Sequence, residues 1–130
     1  MSPNFNDLLA DVKQEINEIS PQEVHDKLGK PRNFTLLDVR EKDEWDGGHI
    51  DGALFLPRGF LEVKVENMLQ DKEQPVIVYC AGGVRSAFAA KSLVQLGYRN
   101  VHSMAGGVRD WKDKGFQMVV PETFRKDQMT

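Results

Sequence analysis

The sequence predicts an α/β fold built on a small parallel sheet of about five strands, with helices on both faces. Short apolar segments alternate with helical patterns along the chain, and this order produces right-handed crossovers between parallel strands. The segment Val76–Tyr79 is apolar throughout, which is typical of a central strand buried on both faces. The length of 130 residues fits a single domain.

The first elements are helical. Apolar side chains recur at helical spacing and predict an amphipathic helix over residues 4–18, which either covers the core or binds a partner protein. Ser20, Pro21 and Glu23 then form a pattern typical of a helix amino terminus, because serine can cap, proline suits the first helical position and glutamate can reach back. This short helix ends at Gly29.

The remaining elements follow in alternation. Apolar runs predict strands at residues 34–39, 53–56, 76–79 and 101–104, and helical patterns predict helices at residues 41–46, 59–69, 85–96 and 108–114. From this order we expect an N-terminal helical extension at residues 1–17, a main domain at residues 18–117 and a polar C-terminal tail at residues 118–130.

Composition excludes several classes of function. The net charge of -3, from 17 basic and 20 acidic residues, argues against a nucleic-acid partner, which favours a clustered basic surface. No apolar run is long enough to cross a membrane, and the first residues lack a secretory pattern, so we expect a cytoplasmic protein with no membrane partner. One cysteine and three scattered histidines predict no internal disulfide and no metal site.

Cys80 is the candidate nucleophile. It follows the central strand at its carboxyl end, the edge where parallel sheets gather reactive groups. A helix amino terminus comes next, and its unpaired N–H groups and partial positive charge favour a thiolate over a thiol. The alternative is a buried structural cysteine. Two glycines and an arginine directly after Cys80 favour the nucleophile.

The loop after Cys80 predicts an anion-binding cup. Gly82 and Gly83 can adopt positive φ, which lets successive amides point inward, and Arg85 adds a positive charge. Ser86 either caps the following helix or contacts the anion. The candidate substrate-binding residues of this loop are Ala81, Gly82, Gly83, Val84, Arg85 and Ser86. Such a cup suits thiosulfate, a persulfide, arsenate or phosphate.

Three further residues are candidates on weaker grounds. Asp38 and Arg40 lie at the carboxyl end of another predicted strand, where they either orient the loop or form a structural ion pair, and the ion pair is favoured. Arg58 follows a third predicted strand, where it either attracts an anionic donor or is an ordinary surface residue.

Three segments together resemble the single-domain rhodanese family over residues 18–116. They are Leu37-Asp-Val-Arg40 with the Glu44–Ala53 segment that follows it, the loop Cys80–Ser86, and Gly106-Gly-Val-Arg-Asp-Trp111. The resemblance implies a rhodanese-like fold and a sulfurtransferase without a cofactor. In this family the cysteine, here Cys80, takes a sulfane sulfur from a donor such as thiosulfate as a persulfide. Cyanide or a cellular thiol then accepts the sulfur.

The sequence also permits alternatives to a thiosulfate enzyme. The chain could be a sulfur carrier that works with a donor or acceptor protein, since the Cys80 chemistry would be the same. An arsenate reductase or phosphatase fits less well, because those loops place five residues between cysteine and arginine, whereas four separate Cys80 from Arg85. Ala81 and Gly82 are uncharged where some thiosulfate-using rhodaneses carry a basic residue. These residues do not indicate one particular sulfur donor.

Overall fold

A five-stranded, all-parallel sheet forms the centre of residues 3–121, the part of the chain that the computed structural model describes. The strands are β1 (Asn17–Ile19), β2 (Thr35–Asp38), β3 (Leu54–Phe55), β4 (Val76–Tyr79) and β5 (Val101–Met104). The helices are α1 (Phe5–Glu15), α2 (Pro21–Leu28), α3 (Lys42–Asp46), α4 (Leu61–Met68), α5 (Val84–Gln95) and α6 (Gly107–Asp113), with a 3₁₀ turn at Arg58–Phe60 before α4. The strand order is β1-β5-β4-β2-β3.

Both faces of the sheet are covered by helices. Successive residues of a strand point to opposite faces, and on β4 Ile77 and Val78 enter two separate cores. The core around Val78 includes α4 and α5, and the core around Ile77 includes α2 and α6. Helix α1 lies against α5 and buries Val12. The predicted α/β fold, with a small parallel sheet between helices, is therefore confirmed.

The first predicted helix is wrong at its carboxyl end. The helix predicted over residues 4–18 stops at Glu15, and Asn17–Ile19 forms the edge strand β1 instead. Ile16 and Ile19 fit the helical spacing, so the local pattern could not reveal the change. The edge of β5 supplies the backbone partners: Ile19 lies opposite Met104 in the ladder and is buried there. Tertiary pairing thus overrides a local helical pattern.

The other elements lie close to their predicted positions. Strands β4 and β5 have the predicted bounds, while the strands predicted at 34–39 and 53–56 are shorter in the structure. The helix predicted over 59–69 begins as a 3₁₀ turn. In the predicted tail, Val119 exchanges two backbone hydrogen bonds of 2.8 Å with His49. Residues 122–130 of that tail lie outside the described residues.

Two features, a membrane-spanning helix and a metal-binding cluster, are absent from residues 3–121. None of the helices in this range combines the length and apolarity that crossing a membrane requires. The same range contains no cluster of three or more His, Cys, Asp or Glu side chains that could hold a metal ion.

A buried polar cluster joins the carboxyl ends of β2 and β4 to the turn that follows α3. The Arg40 guanidinium contacts the Asp38 carboxylate at 2.8 Å and donates to the carbonyl of Gly48 at 2.7 Å. The Tyr79 hydroxyl accepts the N–H of Ile50 at 3.1 Å. Burial, aided by the Asp38 charge, raises the pKa of Tyr79, so its phenol stays protonated. The cluster therefore holds the turn at residues 48–50 against the sheet.

Replacing Tyr79 by phenylalanine should lower the free energy of unfolding by about 1–3 kcal/mol, because the buried N–H of Ile50 loses its acceptor. Urea denaturation followed by circular dichroism measures the change. Tyr98→Phe is the matched control, since the Tyr98 hydroxyl bonds the carbonyls of Leu69, a partly exposed residue, and of Val65, which keeps its hydrogen bond from the N–H of Leu69 after the substitution. Equal losses in the two variants would contradict the role assigned to Tyr79.

Candidate active site

The sulfur of Cys80 lies buried at the carboxyl end of β4, facing the start of α5. Cys80 is 1% exposed. Its Sγ accepts the backbone N–H groups of Gly83 at 3.1 Å and Ser86 at 3.3 Å, and it lies 3.4 Å from the Ser86 hydroxyl. Among residues 81–86, all of which the structure describes, no other amide donates to this sulfur. The predicted position of Cys80 and the inward direction of these two amides are both present in the structure.

Ser86 contacts the sulfur and does not cap α5. The N-cap of α5 is Gly83, so the hydroxyl of Ser86 is not needed to cap the helix. That hydroxyl lies 2.8 Å from the Ser103 hydroxyl on β5, and both serines are fully buried. Ser103 thereby fixes the position of the Ser86 hydroxyl. Ser103 was not among the predicted site residues, although a polar residue within a buried strand was a signal that could have found it.

One of the two loop glycines has the predicted conformation. Gly83 has φ of 97°, in the left-handed region that favours glycine, and this conformation accompanies the turn of its amide toward Sγ. A Cβ at Gly83 would also approach the backbone nitrogen of Gly106 to 3.1 Å. Gly82 does not adopt positive φ, and the space beside it is open. The prediction of positive φ at Gly82 is therefore wrong.

The carbonyl side of the loop is tied to α6. The N–H of Val108 donates to the carbonyl of Cys80 at 2.9 Å, and the N–H of Arg109 donates to that of Ala81 at 3.0 Å. Gly107 has φ of 57°, and a Cβ there would come within 2.6 Å of the Ala81 carbonyl carbon. Only glycine allows this approach. The downstream Gly-Gly element thus positions the loop, a role that the sequence alone did not show.

The arginine of the loop is already paired. The Arg85 guanidinium makes two contacts with the Glu44 carboxylate, at 2.7 and 3.1 Å. The hydrogen bond from Arg85 lowers the pKa of Glu44 to about 2. The same bond raises the pKa of Arg85, and negative charge on Cys80 adds to that rise. The charge of Arg85 therefore interacts with charge on the sulfur, but Glu44 balances it. Glu44 was not among the predicted site residues.

The three weaker candidates have contacts elsewhere. Asp38 and Arg40 form the buried ion pair that the sequence favoured, and an additional role in orienting the loop stays a prediction. Arg58 contacts Glu62 at 2.9 Å and the hydroxyl of Ser92 at 3.2 Å. Ser92 lies six residues after Ser86 on α5, about 9 Å further along the helix. A role for Arg58 in attracting a donor also stays a prediction.

Val84 is the most exposed side chain among the loop residues that begin α5. Val84 is 38% exposed, whereas Cys80 is almost fully buried. Ala81 is partly buried, with its carbonyl directed at α6 rather than at Sγ. Together these positions leave backbone N–H groups and one hydroxyl as the direct partners of the sulfur.

Comparison with known proteins agrees with this geometry. Residues 20–114 match the family model of the Rhodanese-like domain. The thiosulfate sulfurtransferase GlpE of Coxiella burnetii is 40% identical over 86 residues, which cover 66% of this chain and 78% of that protein. A sulfurtransferase of Allochromatium vinosum is 32% identical over 107 residues, covering 82% of this chain and 98% of the relative.

A solved structure from Rhodopseudomonas palustris has a similar fold. It is described as a protein of unknown function and possible tyrosine phosphatase. Its TM-score is 0.80 at 25% identity, and the alignment covers 92% of this chain and 96% of the other. The family model covers well over half of the sequence, and its limits enclose both the Cys80 loop and the glycine pair that supports it. The chain therefore belongs to the rhodanese-like domain family.

Proposed function

We propose that the protein is a rhodanese-type sulfurtransferase that moves a sulfane sulfur from a donor such as thiosulfate to a thiophilic acceptor through a persulfide on Cys80. The observation that carries the proposal is the buried Sγ of Cys80, which accepts two backbone N–H groups at the start of α5. The sulfurtransferase names of the relatives from Coxiella burnetii and Allochromatium vinosum support it.

The first step is a displacement at sulfur. The thiolate of Cys80 attacks the outer sulfur of thiosulfate, a new S–S bond forms, and the original S–S bond breaks so that sulfite leaves with the bonding electron pair. The negative charge passes to the terminal sulfur of the persulfide. Donors already aimed at the sulfur, from Gly83 and Ser86, need no reorganisation to stabilise that charge.

The second step needs an outside acceptor. Cyanide or a cellular thiol attacks the terminal sulfur and releases the Cys80 thiolate. Because Cys80 is the only cysteine of the sequence, no second thiol of the same chain can discharge the persulfide as a disulfide. The persulfide therefore persists until an external acceptor reacts with it. Neither step requires a metal ion or an organic cofactor.

Two other functions have less support. A sulfur carrier that exchanges sulfur with a donor or acceptor protein would use the same Cys80 chemistry and differs only in its partner. A phosphatase would need the loop arginine for phosphate, whereas Arg85 is held by Glu44 and only four residues separate it from Cys80.

We also retain the prediction of a cytoplasmic location, which cell fractionation tests.

Incubation with thiosulfate should increase the mass of the intact protein by one sulfur atom, because the persulfide on Cys80 has no internal route of discharge. Intact-protein mass spectrometry under non-reducing conditions measures the gain, and cyanide should reverse it with release of thiocyanate. Cys80→Ser is the matched control and should stay unmodified. An unmodified wild-type protein that hydrolyses an aryl phosphate would contradict the proposal.

Replacing Ser86 by alanine should slow persulfide formation about tenfold or more, because the hydroxyl 3.4 Å from Sγ, which can donate to the sulfur once it is a thiolate, is lost. Quenched-flow sampling followed by mass spectrometry gives the second-order rate constant with thiosulfate. Ser92→Ala removes a hydroxyl from the same helix at a position away from the sulfur and should react at nearly the wild-type rate. If the two variants load at the same rate, Ser86 has no part in stabilising the sulfur.

A further inference from the structure

The loop around the sulfur carries one formal charge besides the cysteine. Within residues 80–86, Arg85 is the only charged residue. Its guanidinium makes a two-point contact with Glu44, whose side chain and that of Arg85 are each about one third exposed or less. The pair sums to zero charge. The direct partners of Sγ are then dipoles, namely two amides and a hydroxyl.

Glu44 is held in this position from two sides. Its carboxylate also accepts the backbone N–H of Glu41 at 2.9 Å, as the third helical residue of the capping box of α3. The turn after α3 is fixed in its own right, because Arg40 bonds the carbonyl of Gly48. With its pKa lowered to about 2, Glu44 stays ionised at neutral pH. The balance of charge beside the loop is therefore a built feature of the fold.

We propose that Glu44 is a specificity-determining residue that selects sulfur donors by their charge. By neutralising Arg85, Glu44 favours donors with at most one negative charge, such as the persulfides of thiols, over doubly charged donors such as thiosulfate. The inference rests on the proposed function and names the donor class of the same site.

The charges of the two reactions explain the selection. With thiosulfate, one charge on the Cys80 thiolate and two on the donor meet, and the products are a Cys80 persulfide with one charge and sulfite with two. With a protonated persulfide of a thiol, only the charge of Cys80 is present, and the leaving thiolate takes up the donor's proton. Water screens little of the repulsion at a sulfur that is 1% exposed. An unpaired Arg85 would offset that repulsion, and Glu44 removes the offset.

Thiosulfate and methanethiosulfonate form a matched pair of probes. Both present an outer sulfur bound to a sulfonyl sulfur, and they lose sulfite and methanesulfinate respectively, but thiosulfate carries two negative charges and methanethiosulfonate carries one. The measurement is the second-order rate constant for Cys80 persulfide formation, read by intact mass. Glu44→Gln is the key variant, because glutamine at this position can keep the capping box and changes only the charge.

Glu44→Gln should raise the rate constant about tenfold for thiosulfate and about threefold for methanethiosulfonate, because an uncompensated Arg85 attracts the second donor charge as well. Arg85→Gln should shift the ratio of the two rate constants in the opposite direction, since Glu44 is then uncompensated. The double variant removes both charges and should restore the wild-type ratio. Added salt should narrow the differences.

Glu73→Gln is the control. It removes the same charge from an exposed pair with Arg99, ahead of the amino end of β4 and so at the opposite edge of the sheet, and it should leave the donor ratio unchanged. If Glu44→Gln changes both rate constants by the same factor, or neither, charge selection by Glu44 is overturned while sulfur transfer stands. If neither donor loads wild-type Cys80, the proposed function fails, and this inference fails with it.

Discussion

The hydrogen bonds from α6 to the carbonyls of Cys80 and Ala81 are the interaction on which the site depends. These bonds fix the backbone of Cys80 and Ala81, the point from which the loop turns back so that the amides of Gly83 and Ser86 face Sγ. The start of α6 can approach because Gly107 has no side chain. Trp111, buried between α6 and the sheet, anchors the helix at the required distance. The sulfur environment is thus set by a helix that never touches the sulfur.

A second constraint concerns the two arginines near the site, whose positive charges are both balanced by carboxylates. Arg40 and Arg85 are each bound to a carboxylate, that of Asp38 and that of Glu44 respectively. The first pair is buried and holds the turn after α3, and the second lies at the rim of the loop. Since that turn follows directly from the helix that carries Glu44, the buried pair also stabilises the placement of the rim pair. The chain therefore surrounds its nucleophile with oriented dipoles while keeping the neighbouring cations compensated.

The sequence predicts those parts of the molecule whose signals are local. The apolar run of β4 and the glycines after four of the six predicted helices sufficed for the fold, and the residues around Cys80 sufficed for the nucleophile. Strand β1 was missed because its pairing with β5 joins residues far apart in the chain. Glu44 and Ser103 were missed for the same reason, as each meets its partner on another element. A single sequence gives residue types and spacings but not which side chains meet.

The proposed cycle explains why a site made of dipoles is sufficient. The resting thiolate and the loaded persulfide each carry one negative charge, so the total charge at Cys80 is the same before and after sulfur transfer. Amides and a hydroxyl that already face the sulfur can stabilise both states, with only a small shift of the charge outward by one bond. A freely charged arginine would add attraction for highly charged donors without a matching change in the enzyme. The compensated Arg85 is therefore consistent with a site in which the donor's charge, rather than the enzyme's, varies from one substrate to another.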